Sequence, residues 1–267
     1  MMGPVSAACW GLALALALAA LTWLASLPLR DASLADRVWP LLIAAPALLY
    51  AGLLPAPALP PAPGGWMLAL LLLWALRLAA YITWRNRGHG EDRRYAAMRA
   101  QHGAAFAARS LVTVFGLQAV LAWLVSAPLL AALAAVRGAP ALGLLGVAGA
   151  CLTLGGTLLE AVADRQLARH RADPSRRGTV LDRGLWRFSR HPNYFGEACV
   201  WWGLWLMALD AGGTAAAWSV LSPALMTFLL LRVSGVRLLE ADLAARRPAY
   251  RDYVARTSAF VPWPPRR

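Results

Sequence analysis

The sequence contains no lysine, only three cysteines and few charged residues of either sign. All 26 basic residues are arginine, and charged residues make up 15% of the 267 positions. Cys9, Cys151 and Cys199 each lie in an apolar run and match neither a disulfide framework nor a metal-ligand spacing. The four histidines are scattered along the chain and fit no metal site. The sequence therefore predicts neither a disulfide-stapled fold nor a bound metal.

Long apolar runs dominate the rest of the sequence. Hydrophobic residues account for 60% of the chain, and a helix needs about 20 mostly apolar residues to cross a bilayer. Soluble domains rarely repeat such runs, so the pattern predicts membrane insertion. The first run has no basic residue before it and is too long for a secretory signal, so we count it as a span. We predict seven spans, over residues 5–28, 38–60, 66–83, 110–135, 140–162, 193–211 and 213–235.

The arginines fall almost entirely on one side of these predicted spans. Two lie in the first connection, six in the third, eight in the fifth and eight in the C-terminal tail. Arg77 lies inside a span, and Arg137 is alone on the opposite side. Because cytoplasmic loops carry the excess of basic residues, we expect the C-terminus in the cytoplasm and the N-terminus outside. The net charge of +13 then reflects topology, and we expect membrane lipids rather than nucleic acid as partners.

The stretch Ser189-Arg-His-Pro-Asn-Tyr-Phe-Gly-Glu197 carries the clearest chemical signal. Pro192 suits the first turn of a helix, where its missing N–H costs nothing. Asn193 and Glu197 then lie one turn apart on the same face. An inward-facing amide and carboxylate could bind a carboxamide or a ribose, and the neighbouring arginines could hold phosphates bidentately. The plainer interpretation is an ordinary helix start after a positively charged loop.

The loop Arg85-Asn-Arg-Gly-His-Gly-Glu-Asp92 combines two glycines with charged residues. Such glycines let the backbone turn towards a phosphate or an adenine. We expect Arg85 and Asn86 to face a ligand, and Glu91 and Asp92 to orient nearby arginines. A simple surface turn is the alternative. No Gly-x-Gly-x-x-Gly stands between a strand and a helix, which excludes a Rossmann module as the nucleotide site.

Several other charged and aromatic residues have an informative spacing. Arg77 lies in an apolar span, where a charge is costly unless it is paired, faces a polar cavity or snorkels to the interface. Glu160 and Asp164 are four residues apart, so they share a helix face and need a cation or hydroxyls between them; salt bridges to loop arginines are the alternative. The tail over residues 250–256 has helical spacing, and its alternative is an interfacial helix with aromatic anchors.

Taken together, these segments resemble the membrane steroid 5-alpha-reductase family, specifically its large bacterial branch of unknown function. The resemblance extends over about residues 30–262. It rests on the segments Trp84–Tyr95, Glu160–Gln166, Ser189–Glu197 and Tyr250–Pro262, which follow the family's order. It implies a seven-helix bundle in a bacterial inner (plasma) membrane, with NADPH in a pocket that opens to the cytoplasm. Members of the family transfer hydride to the β-carbon of an enone and a proton to its α-carbon.

Position by position, the resemblance implies which residues contact NADPH. Asn193 and Glu197 match residues near the nicotinamide, and Asp164 matches an acid that contacts the dinucleotide. Arg77 and Tyr81 align with an Arg–Tyr pair of the family's cofactor pocket. The complete predicted cofactor set is Arg77, Tyr81, Arg85, Asn86, Asp164, Arg169, Arg171, Arg183, Arg190, His191, Asn193, Glu197, Arg232, Tyr250 and Arg256.

The residues that polarise the substrate carbonyl in the steroid reductases are missing here. Those enzymes use a Glu of the second span and a Tyr of the third, whereas this second span has no Glu and Trp74 stands where the Tyr would align. Asp36, the only acid near the start of the second span, is the catalytic candidate, because a protonated carboxyl could donate to the enolate oxygen. The alternative is that Asp36 pairs with Arg37 or Arg30 at the interface.

The sequence thus predicts an all-α polytopic membrane protein with about seven transmembrane helices and cytoplasmic Arg-rich loops. One integral membrane domain is expected over residues 1–267, with residues 1–65 on the substrate side and 66–267 binding the cofactor. The expected function is NADPH-dependent reduction of a lipophilic α,β-unsaturated compound, steroid- or polyprenyl-like, as by a 3-oxo-5-alpha-steroid 4-dehydrogenase. The alternatives are an S-adenosylmethionine-dependent lipid or isoprenyl methyltransferase, which would share the Arg-His-Pro element, and a non-enzymatic membrane protein that retains a cofactor fold.

The arginine distribution generates a first prediction. Reporter fusions at Met2 and Arg267 should report opposite compartments, with the C-terminal reporter active in the cytoplasm, because an odd number of spans separates them. A pair of reporters that are each active on only one side of the membrane measures this. Two ends in the same compartment would show that a span has been miscounted.

Overall fold

The computed structural model describes residues 2–135, 141–233 and 248–266. These residues form helices and their connections, with no strand among them. Six segments are long and apolar enough to cross a membrane: Pro4–Leu29, Leu34–Leu53, Pro63–Asn86, Arg93–Leu133, Leu144–Ala172 and Pro192–Val233. The predicted all-α polytopic membrane class is therefore confirmed. We name the first three helices α1 (Pro4–Leu29), α2 (Leu34–Leu53) and α3 (Pro63–Asn86).

The fourth segment is a composite of several helices. It begins with the polar helix α4 (Arg93–His102) and continues through α5 (Phe106–Ser110), a π-helix (Leu111–Gly116), α6 (Leu117–Val125) and α7 (Ala127–Leu133). Gly103, with a φ of +53°, ends α4. Three arginines lie on α4, so the apolar part of the segment starts near Phe106. The predicted span 110–135 therefore begins about one turn late.

The sixth segment folds back on itself. Its 42 residues would extend about 63 Å as one helix, twice the thickness of the bilayer core. Helix α9 (Pro192–Gly212) is followed by Gly213 with a φ of +59°, and Trp202 Nε1 donates to Thr227 Oγ1 at 3.2 Å. The return arm consists of a 3₁₀-helix (Gly213–Val220), α10 (Leu221–Phe228) and a π-helix (Leu229–Val233). These are the predicted sixth and seventh spans, except that residues 234 and 235 lie outside the described residues.

Small residues pack the N-terminal helices closely together. Ala7, Gly11, Ala15 and Ala19 recur every fourth residue of α1 and are buried. Gly11 lies directly against the Tyr50 ring of α2. This spacing places one narrow stripe of α1 against its neighbours and leaves the large apolar side chains of α1 outside, as expected for a helix that faces lipid.

Glycines also allow the closest helix contact, between α8 (Leu144–Ala172) and α9. A Cβ atom at Gly156 would lie 2.5 Å from the carbonyl oxygen of Gly196, and one at Gly203 would lie 2.6 Å from that of Gly149. The two helices are therefore antiparallel and nearly touch along their backbones. At both pairs, glycine lets the helix backbones approach closely, as small residues do in other membrane bundles.

The chain divides into two compact units. The first contains Met1–Val147 and Met207–Ser222, and the second contains Ala148–Leu206 and Pro223–Arg267. The second unit includes the last described helix, α11 (Pro248–Arg256).

The α8–α9 contact generates a prediction with an internal control. Gly156→Ala should destabilise the protein by about 1–3 kcal/mol, because the new methyl group overlaps the Gly196 carbonyl and the Cys199 Cβ. Gly155→Ala is the control, since nothing lies within 4 Å of a Cβ there and alanine favours a helix by up to about 1 kcal/mol. Thermal unfolding in detergent measures both. Equal midpoints for the two variants would contradict the close contact.

Candidate functional site

The second unit holds a buried polar cluster at the end of α8 and the start of α9. Glu160 and Asp164 on α8 are 3% and 4% exposed, and Glu197 on α9 is 8% exposed. Asn193 Nδ2 donates to Asp164 Oδ1 at 3.2 Å. A Cβ at Gly196 would lie 2.8 Å from the backbone nitrogen of Glu160, so the glycine contact brings these side chains together. Two predicted cofactor residues, 29 positions apart, thus form a direct hydrogen bond.

The second polar atom of the Asn193 amide is a candidate contact for a ligand. Asn193 Oδ1 is buried and accepts no hydrogen bond from the described residues. A buried acceptor without a donor costs about 1–3 kcal/mol, and most such atoms in proteins have a partner. A carboxamide N–H or a ribose hydroxyl would supply the missing donor. Asn193 Oδ1 therefore fits the carboxamide or a ribose hydroxyl of the predicted dinucleotide.

His191 and Pro192 shape the beginning of α9. The His191 carbonyl accepts the first helical hydrogen bond, from Phe195 N at 3.1 Å, and α9 begins at Pro192 as predicted. The His191 ring stacks on Tyr194 with centroids 5.4 Å apart, and its backbone nitrogen donates to Ser189 Oγ. His191 thus orients the start of α9.

Arg190 holds the C-terminal tail. Its Nη1 donates to the carbonyl oxygens of Val254 and Thr257 at 2.9 and 2.7 Å, at the end of α11. Its backbone nitrogen donates to the Ser258 carbonyl at 2.8 Å. A guanidinium at a helix C-terminus satisfies carbonyls that have no helical partner and complements the helix dipole. Nη1 of Arg190 thus stabilises the tail, and the contact of this residue with a phosphate stays a prediction.

Tyr253 is a structural residue that the predicted site set omits. Its hydroxyl donates to the Trp186 carbonyl, and it also contacts the Ser189 carbonyl at 3.3 Å. Its ring lies 5.7 Å from that of Tyr250, which is buried as well. The helical spacing of the tail is the sequence signal that could have identified Tyr253. The phenol joins α11 to the segment before α9.

Gln166 and Trp186 attach the same segment to α8. Gln166 Oε1 accepts from Leu185 N at 3.0 Å, beside Gly184 with its φ of +60°. Trp186 Nε1 donates to the Ala163 carbonyl at 3.1 Å. Neither residue was predicted, because only Gly184 signals the turn that brings them together. The remaining predicted arginines of the second unit are exposed: Arg169, Arg171, Arg183, Arg232 and Arg256.

In the first unit, the end of α3 carries the predicted Arg–Tyr pair. Arg77 and Tyr81 are half-buried and share a helix face with Trp74, which is fully buried. Arg85 lies over the Tyr81 ring at 5.7 Å, and its Nε donates to Asn86 Oδ1 at 3.1 Å. Arg85 and Asn86 therefore contact each other at the exposed end of the helix.

The prediction that Glu91 and Asp92 orient nearby arginines is confirmed. Glu91 accepts two hydrogen bonds from Arg99, at 2.9 and 2.7 Å, and Asp92 Oδ1 accepts from Arg94 Nε at 2.9 Å. Glu91 also accepts from the backbone nitrogen of Ala32 at 2.8 Å. The Arg99 guanidinium holds the pKa of the Glu91 carboxyl below its usual range. These bonds attach the glycine-containing loop to the connection between α1 and α2.

Asp36 has a different environment from the one that its predicted catalytic role requires. Its Oδ2 accepts from Arg94 Nη2 and its Oδ1 from the Tyr95 hydroxyl, both at 2.7 Å. Arg37, one of its two expected partners, pairs with Asp31 at 2.8 Å. A carboxylate in an ion pair accepts hydrogen bonds, whereas stabilising an enolate requires a carboxyl that donates one. The geometry therefore argues against the catalytic assignment of Asp36.

Comparison with known proteins gives one match. The family model described as "Protein of unknown function (DUF1295)" matches residues 22–257. No curated protein and no solved structure matches the chain.

The Glu91–Arg99 pair generates a pH-dependent prediction. Glu91→Gln should lower the free energy of unfolding by about 1 kcal/mol at neutral pH, as expected for a half-exposed bidentate pair. Because the folded-state pKa of Glu91 is depressed, its contribution is complete above about pH 4.3, the ordinary Glu pKa, and is lost as the pH falls through the folded value. Wild type and variant should converge at low pH in detergent unfolding experiments. Asp182→Asn, at an exposed acid, is the control, and a gap that stays constant with pH would contradict the assignment.

Proposed function

The chain belongs to the family of unknown function whose model matches residues 22–257, and we propose that it is an NADPH-dependent membrane reductase of a lipophilic α,β-unsaturated compound. The Asn193 amide is the observation that carries the proposal. One end of this amide is held by Asp164, and the other end is a buried acceptor with no donor in the described part of the chain. A carboxamide or a ribose hydroxyl of a dinucleotide matches that acceptor.

The residues around Asn193 suggest how the chain would hold such a ligand. Asp164 orients the Asn193 amide, so that Oδ1 points away from it and can accept from the ligand. The exposed guanidinium groups of Arg169, Arg171 and Arg183 match the geometry of phosphates, which bind arginine bidentately. The bound cofactor would supply a hydride. The substrate carbonyl would also need a hydrogen-bond donor as charge develops on its oxygen.

The proposed topology agrees with this assignment. Asn193 lies three residues after the eighth arginine of the fifth connection, at the boundary between a charged loop and an apolar helix. If the Arg-rich loops are cytoplasmic in a bacterial inner (plasma) membrane, the cofactor would enter from the cytoplasm. The lipophilic substrate would reach the same boundary from the bilayer.

The proposal predicts a ligand preference. In detergent, NADPH should bind about 10- to 100-fold more tightly than NADH, since one charged hydrogen bond to the 2′-phosphate is worth roughly 1.5–3 kcal/mol. S-adenosylmethionine should not bind. Thermal-shift titrations with the three compounds measure this preference. Equal affinity for the two dinucleotides would contradict recognition of the 2′-phosphate. Stabilisation by S-adenosylmethionine alone would favour a methyltransferase.

Variants of the amide site sharpen this experiment. Asn193→Ala and Glu197→Gln should each weaken NADPH binding at least about tenfold, while the ligand-free protein still unfolds cooperatively. Thr227→Ala is the matched control, because it removes a hydrogen bond of α9, to Trp202, and leaves Asn193 unchanged. Normal NADPH affinity in both site variants would show that the motif is structural.

A further inference from the structure

We propose that the C-terminal tail of the second unit forms a binding site for the headgroup of an anionic phospholipid. This inference does not depend on the proposed reductase activity. It rests on a groove of about 280 Å³ whose lining includes Arg190, Arg256, Arg266, Thr257, Ser258 and Trp263. Three of the lining residues are arginines and none is acidic.

Two of the groove's arginines, Arg256 and Arg266, lie close together in the folded tail. Arg256 uses Nε to donate to the Asp252 backbone carbonyl at 3.3 Å, and Arg266 N donates to the Arg256 carbonyl at 2.9 Å. The tail therefore folds back, and both residues line the groove. Neither Arg256 nor Arg266 forms an ion pair within residues 2–135, 141–233 and 248–266. A phosphodiester matches two neighbouring guanidinium groups in charge and in geometry.

The groove is built by long-range hydrogen bonds. Besides the contacts of Arg190 with the end of α11, Ser189 Oγ donates to the Phe260 carbonyl at 2.8 Å, and Trp263 N donates to the Phe188 carbonyl at 2.9 Å. The rings of Phe195 and Phe260 meet edge to face, with centroids 5.6 Å apart. The tail is thus held against the segment that leads into α9.

Exposed apolar side chains distinguish a lipid from a soluble anion. Phe188, Val261 and Trp263 are 41%, 53% and 68% exposed. The hydrogen bond from Trp263 N to the Phe188 carbonyl brings Phe188 close to the tail residues. The apolar helix α9 begins at Pro192, two residues after Arg190, so this part of the chain lies where a span enters the membrane. Aromatic residues beside arginines are typical of the membrane interface. A soluble phosphate would gain nothing from these exposed apolar groups.

Native mass spectrometry of the purified full-length protein tests the proposal. Phosphatidylglycerol and phosphatidylcholine of equal chain length are titrated into the detergent solution. We expect phosphatidylglycerol to bind preferentially, and Arg256→Gln and Arg266→Gln each to weaken its binding about fivefold, the effect of about 1 kcal/mol per arginine. Arg251→Gln is the matched control, because Arg251 is an exposed arginine of α11 that does not line the groove. The Arg251→Gln variant should bind phosphatidylglycerol as tightly as the wild type does.

Other outcomes of the same titration would overturn the proposal. Equal binding of the two lipids, or unchanged phosphatidylglycerol binding in the double Arg256→Gln, Arg266→Gln variant, would exclude a headgroup site. NADPH and inorganic phosphate are titrated separately. If the double variant loses binding of either compound while its lipid binding is unchanged, the groove binds a soluble phosphate and the lipid proposal is wrong. Added salt provides a measurement without substitutions: it should weaken phosphatidylglycerol binding and leave phosphatidylcholine binding unchanged.

Discussion

Two helices approach each other most closely where both carry glycine, and α8 and α9 do so at Gly156 and Gly196. In a bilayer, lipid tails are as apolar as leucine, so helices associate through close packing and hydrogen bonds rather than through the hydrophobic effect. Here the close approach also has a chemical consequence. It places the Glu160 backbone against α9 and leaves Asn193 within 3.2 Å of Asp164. Any larger residue at either glycine would separate the two helices and lengthen that hydrogen bond, so the polar cluster depends on the absence of two Cβ atoms.

The start of α9 depends on a second, long-range interaction. The segment before it is attached to α8 through Gln166 and Trp186, and to the tail, more than 60 residues later, through Arg190 and Tyr253. Both attachments end on backbone groups, the Leu185 N–H and several carbonyls, which constrain the path of the chain more than side-chain packing alone. The position of Asn193 at the first turn of α9 is therefore determined from two sides. A helix that began without these contacts would be free to fray at the residues that the proposed site requires.

The sequence predicted those features that depend on composition or on neighbouring residues. Apolar runs indicated the spans and the hairpin near Gly213, and Pro192 indicated the start of α9. It did not predict contacts between residues that are distant in the sequence. Arg190 next to the motif suggested a phosphate ligand, but its Nη1 binds carbonyls at the end of α11, which no local pattern reveals. Likewise, Arg37 and Arg30 were the expected partners of Asp36 because they are its neighbours, whereas folding brings α4 and its Arg94 to that carboxylate.

The absence of lysine has a structural consequence beyond topology. Positive charge in cytoplasmic loops requires only a cation, and lysine would serve equally. Several arginines of this chain nevertheless use the shape of the guanidinium group. Arg94 donates through Nε to Asp92 and through Nη2 to Asp36, and Arg99 binds both oxygens of Glu91 while lying over the Phe106 ring at 4.5 Å. A lysine has a single ammonium group that cannot reproduce the planar, bidentate contact or the stacking. At Arg94 and Arg99 the fold therefore uses contacts that a lysine would not reproduce.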